Sequence, residues 1–192
     1  MGNEINALPI YELTMDDGAV GVYSIAVVKR PAMESRWQAF SKQGEPAKFS
    51  VENEEKRMIL AVLCRADFPI YRRDADGFEY YVYFSKPTIE KLVQRMLANG
   101  FENTFNNEHR EGTVIEGMQM TQCFIKDSGR GINPKGFEDV EEGSCFCQWH
   151  VTSDEVWQSI KDNVWTGVSL EGYFSAREPV AETVEDVLRQ SE

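Results

Sequence analysis

Positive charge is scarce in this sequence. Lys and Arg number 20 against 32 Asp and Glu, for a net charge of −12. Such a surface repels phosphates, which argues against nucleic-acid binding and against docking on an anionic membrane. Long apolar runs are missing as well. No stretch approaches the roughly 18 apolar residues that a membrane-spanning helix needs, so none is expected. Met1–Asp17 lacks the basic start and apolar stretch of a signal peptide. Asn6 stands where a myristoylation signal would carry Ser or Thr. The chain has four cysteines, Cys64, Cys123, Cys145 and Cys147. With no export signal, reduced thiols are the expectation. Histidine is rarest of all, at His109 and His150, so any imidazole chemistry rests on one of these two.

What is present suits one folded domain. The hydrophobic fraction is 42% and the aromatic fraction 11%, enough for a core and against disorder. Val20–Val28 reads as a strand stopped by Pro31. Arg57–Leu63 is a nearly continuous apolar run and reads as a buried strand. Asp76-Gly77 marks a turn, and Tyr80–Phe84 returns as a strand. The clearest helix follows: Ser85 as cap, Pro87 in the first turn, an apolar face of Ile89, Leu92, Val93, Met96 and Leu97, and a stop at Asn99-Gly100. Val114–Ile125 and Ser144–Val151 have strand character. Between them, Lys126–Gly143 holds four of the 14 glycines and reads as a long, mobile loop. Thr152 and Glu155 have capping-box spacing before a second helix, and Trp165–Phe174 is the last strand-like segment. Many strands with two or three helices, in no βαβ alternation, predict an α+β, mainly β protein: a closed or partly open β-barrel with helices packed outside. Residues 1–176 would form this domain, and residues 177–192 an acidic C-terminal helix or tail.

Two side chains stand out chemically. His109 lies in the polar stretch Asn106-Asn107-Glu108-His109-Arg110, where an imidazole can meet substrate as a general base; a plain surface histidine is the competing reading. Ser169 lies in Gly167-Val168-Ser169-Leu170-Glu171-Gly172, flanked by glycines that let a substrate backbone approach; a strand serine at a polar edge is the competing reading. The pattern is not the lipase-type elbow, because the second glycine comes one place too late. Cys145-x-Cys147 with His150 and Cys123 lacks a second ligand pair at zinc spacing. The cysteines therefore read as small apolar thiols, with no metal and no cofactor expected.

Four blocks in order carry a family resemblance: VYSIAVVKRPAMES, FPIYRRDADGFEYYVYFSKPTIEKLV, NNEHREG and HVTSDEVWQSIKDNVWTGVSLEGYF. They resemble the XkdF-like phage serine proteases, grouped with the prohead proteases of tailed phages and the herpesvirus assemblins. The resemblance implies an assemblin-like barrel and an endopeptidase of the host cytoplasm, working inside the assembling prohead on scaffold and major capsid proteins. It maps the catalytic histidine to His109 and the catalytic serine to Ser169. The third member in such proteases is a His or an acid after the serine; Glu171 and the acids of the C-terminal tail meet that order, Glu171 being the one put forward, and His150 does not. Two rivals are a non-catalytic head or scaffold-associated protein that keeps the fold, and a small-ligand-binding barrel.

Overall fold

The computed structural model describes residues 8–15, 21–29, 50–53 and 56–177. The acidic segment beyond Arg177, and the stretch around Pro31, lie outside the described residues. The strands are β1 (Ile10–Thr14), β2 (Val22–Val28), β3 (Ser50–Asn53), β4 (Met58–Cys64), β5 (Ile70–Arg73), β6 (Glu79–Phe84), β7 (Phe105–Asn107), β8 (Met118–Ile125), β9 (Cys145–Val151), β10 (Gly167–Gly172) and β11 (Ser175–Ala176). Helix α1 (Lys86–Asn99) joins β6 to β7, and α2 (Asp154–Lys161) joins β9 to β10.

The mainly β, α+β class holds, but the described strands do not close into a barrel. They form three open sheets, ordered β11-β1-β6-β5, β10-β2-β7 and β3-β4-β9-β8. Among the described residues an isolated bridge, Ala66 to Phe84, links the β4 side to β6. One hydrophobic core replaces closure. Val22, Ile25 and Val27 of β2, Ile59 and Ala61 of β4, Val82 and Phe84 of β6 and Trp149 of β9 meet there with Leu92 and Met96 of α1 and Val156, Trp157 and Ile160 of α2.

The continuous apolar run of β4 has a direct cause. Its Ile59, Ala61 and Leu63 face the main core, whereas Leu60 and Val62 pack with Phe146, Val140, Phe124 and Phe137 on the other face. A strand covered on both sides shows no alternation. The cover comes from residues 126–143, expected as a mobile loop. Instead, this segment is a clamped cap. Lys126 is 3% exposed, and its Nζ donates to the carbonyls of Phe137, Glu138 and Val140 at 3.1, 3.1 and 2.7 Å. A 3-10 turn at Ser128–Arg130 and the Ser128–Glu142 bonds close it further.

Helix ends differ in detail from expectation. Gly100 adopts φ 72° as the left-handed stop of α1, which glycine reaches without Cβ strain. Ser85 sits at the cap position, but its hydroxyl bonds Glu12 and Thr88 rather than the helix backbone. In α2 the cap is Ser153, one residue later than Thr152, and its Oγ accepts from the Val156 amide. Leu97, expected on the buried face of α1, is 45% exposed.

Candidate active site

The site grows from the outer face of the β10-β2-β7 sheet. Register places Ser169 opposite Ala26, Glu171 opposite Ser24, and Asn106 on the other side of Ala26. Val168, Ile25 and Phe105 point into the core, so Ser169, Glu171, Ser24 and Asn106 share the opposite face. Ser169 and Glu171 are two residues apart on one strand, roughly 6.7 Å between Cα atoms.

His109 arrives there through a tight turn. Parallel pairing with β2 carries β7 to Asn107, and the Glu108 amide still donates to Val27. Then Glu108 and His109 take φ 55° and 57° in succession. Two consecutive non-glycine residues in the left-handed region are unusual, and such geometry persists only where surroundings hold it. Here Asn106 holds it: its Oδ1 accepts from the His109 amide at 3.0 Å. Thr113 Oγ1 closes the loop behind, accepting from the Asn107 amide and donating to the Arg110 carbonyl.

The turn brings the imidazole back over the sheet. His109 Nδ1 lies 2.8 Å from Glu171 Oε1, with the histidine side chain 39% and the glutamate 18% exposed. The second Glu171 oxygen accepts from Asn106 Nδ2, which also donates to Ser24 Oγ at 3.0 Å. Asn106 thus braces both the acid and the histidine backbone. An ionised Glu171 places the ring proton on Nδ1, leaving Nε2 as a proton acceptor. Nε2 has no hydrogen-bond partner among the described residues.

Two serines share this face, and they differ in commitment. Ser24 Oγ donates to the Thr104 carbonyl while accepting from Asn106. The Ser169 hydroxyl makes no hydrogen bond among the described residues; it is 8% exposed. It is not bonded to His109 either. Each lines its own cavity. One of about 660 Å³ carries His109, Asn106, Ser24 and Arg110; the other, of about 330 Å³, lies beside Ser169 with Leu63, Ile70, Arg72 and Phe84. Tyr23 and Glu171 line both. Burial first, and the charge of Glu171 second, push the Tyr23 phenol above its ordinary value, so it keeps its proton as a donor.

Sequence reading missed Asn106 and Ser24. Asn106 sits three residues before His109, a spacing at which an Asn side chain can hold a turn, and that was the available signal. Ser24 left none, because only strand register puts it opposite Glu171. His150 is apart from the site, on β9 opposite Met58 and Gln119.

An acid, an imidazole and an uncommitted hydroxyl on one sheet face are the groups used by serine hydrolases. The chain belongs to the family described as "Putative phage serine protease XkdF", which matches residues 47–178. It is also 27% identical over 143 residues to the phage-like element PBSX protein XkdF of Bacillus subtilis (strain 168), covering 69% of this chain and 46% of that protein. The chain therefore spans about half the length of that relative. No solved structure matches.

Proposed function

We propose that this chain is a serine endopeptidase that matures the phage prohead, cutting scaffold and major capsid proteins as the head assembles inside the host cytoplasm. Ser169 is the nucleophile, His109 the general base and Glu171 the acid that orients it. The observation that carries the reading is the His109–Glu171 pair, with Nε2 unbonded among the described residues, on the same face as Ser169. In the reaction, Nε2 takes the Ser169 proton as Oγ attacks the scissile carbonyl. The tetrahedral oxyanion collapses to an acyl-enzyme, and the imidazolium returns the proton to the leaving amine. Water, deprotonated by the same imidazole, then releases the acid product and restores the serine. Catalytic hydrogen bonds are often long before substrate binds, so substrate entering the cleft beside Ser169 would close the gap between hydroxyl and ring.

A second reading, a non-catalytic head or scaffold-associated protein with the same fold, draws support from the low exposure of Ser169 and its lack of a bond to His109. The two are separated by incubating the protein with the scaffold and capsid proteins of its own phage and by labelling it with a fluorophosphonate. The protease reading expects cleavage, with label on Ser169, and loss of both in Ser169→Ala. Intact substrates with no label would sink it.

A further inference from the structure

Three of the four cysteines converge on the paired strands β8 and β9. Cys145 and Cys147, two apart on β9, face the same way, and Cys123 of β8 is the cross-strand partner of Cys147. The Cys123 Sγ lies 3.8 Å from Cys145 Sγ and 3.6 Å from Cys147 Sγ. All three sulfurs fall within 4.8 Å of one another. Cys145 and Cys147 are fully buried, whereas Cys123 is half-buried on the edge strand of its sheet.

These separations, which are also thiol contact distances, fit a metal site. Zinc binds thiolate sulfur at about 2.3 Å, and a tetrahedron of that radius has edges of about 3.8 Å. Two of the three edges stand at that length already. The ligands come from adjacent, paired strands, so little rearrangement is needed and little entropy is lost. Sequence spacing argued against Cys145-x-Cys147 with Cys123 and His150 as a ligand set, but strand register brings Cys123, 22 residues from Cys145, against the other two sulfurs. His150 is excluded, since residues 145, 147 and 149 face the core and 150 alternates outward. A disulfide would use two sulfurs and strand the third.

We propose that Cys123, Cys145 and Cys147 form a three-thiolate site for zinc, with water or an added ligand in the fourth position. On binding, the three thiols lose their protons to solvent and each thiolate donates a lone pair to the metal, with no change of oxidation state. The half-buried Cys123 gives the ion its entry at the sheet edge. The metal would staple edge strand β8 to β9. That strand also supports the His109 cavity: the Met120 amide donates to Asn103 Oδ1 at 2.7 Å, and Asn103 and Met118 line the cavity wall.

The test uses the full chain, reduced and freed of metal, titrated with cobalt(II) and then zinc. The expected result is one cobalt per chain, with the visible bands of tetrahedral cobalt and a near-ultraviolet thiolate charge-transfer band, both bleached by zinc. Zinc should raise Tm, and a chelator should reverse the rise. Cys123→Ser should lose the charge-transfer band, while Cys64→Ser, which alters a thiol outside the cluster, keeps it. The titration of the unaltered protein decides the matter even if Cys123→Ser fails to fold. Absence of the bands with all thiols reduced, retention of full binding by Cys123→Ser, or a native mass two hydrogens light from a disulfide would each overturn the site.

Discussion

Asn106 does more for the candidate site than its neighbours in the chain suggest. One side chain stabilises the left-handed His109 backbone, bonds the Glu171 carboxylate and engages Ser24. The imidazole is positioned from both ends, by Asn106 on its backbone and by Glu171 on Nδ1. Glu171→Gln keeps the size but removes the charge that stabilises an imidazolium. On the proposed mechanism it lowers kcat about a thousand-fold or more while leaving KM nearly unchanged, checked by steady-state kinetics on a peptide spanning a mapped cleavage site. A drop confined to KM would mean that Glu171 contacts substrate instead. Asp67 makes a different prediction. Burial, only partly opposed by Lys86 at 3.9 Å, pushes its carboxyl above the ordinary 3.8. A raised pKa means the folded state holds the proton more tightly than the unfolded state does. The associated stability is present at acid pH and is lost as pH rises through the folded-state value. Asp67→Asn, which also tolerates φ 53° at this position, should match the parent at low pH and exceed it at neutral pH. Urea midpoints at the two pH values check this; equal midpoints throughout would show that the carboxylate carries no burial penalty.

Among the elements, the cap over β4 shows how a polar residue orders a segment of low apolar content. Residues 126–143 are rich in glycine and acids, so their composition alone suggested mobility. One buried ammonium satisfies three carbonyls of the cap. Lys126→Met leaves those acceptors without a donor, and is expected to cost about 2–3 kcal/mol. Hydrogen exchange should rise first across the cap and then in β4, whose Leu60 and Val62 the cap covers. A loss below about 0.5 kcal/mol, the range of ordinary surface changes, would show that the clamp is incidental. The helices were easier to foresee. Pro87 and Gly100 bracket α1 by backbone constraints that travel with the residue itself. The cap of α2 was misplaced by one because Thr152 and Ser153 are both competent, and only the final backbone path selects between them.

At the scale of the molecule, three open sheets surround one core, with side chains from β2, β4, β6, β9, α1 and α2 in a single cluster. No sheet owns a separate interior of comparable size. Unfolding should therefore be one cooperative event: tryptophan fluorescence, which reports the buried Trp149 and Trp157, should follow the same denaturant curve as far-ultraviolet circular dichroism. Two separated transitions would mean that the sheets are independent units. The charge of −12 adds a long-range repulsion toward polyanions.

The sequence by itself determined whatever depends on neighbours along the chain. The periodicity of α1, its proline start and glycine stop, the buried run of β4 and the four ordered family blocks were all legible. His109 and Ser169 could be singled out in this way, because residue type and flanking polarity are local properties. Tertiary structure decided what depends on register between distant strands. It set Glu171 beside His109, 62 residues earlier in the chain, and left Ser24 bonded while Ser169 has no hydrogen bond among the described residues. It gathered Cys123, Cys145 and Cys147 into one cluster. It also left the sheets open rather than closed. The physical reason is that a strand's side-chain pattern encodes which face it buries, whereas the partner across the ladder is chosen by global packing, and a shift of one residue would exchange every contact described for the site.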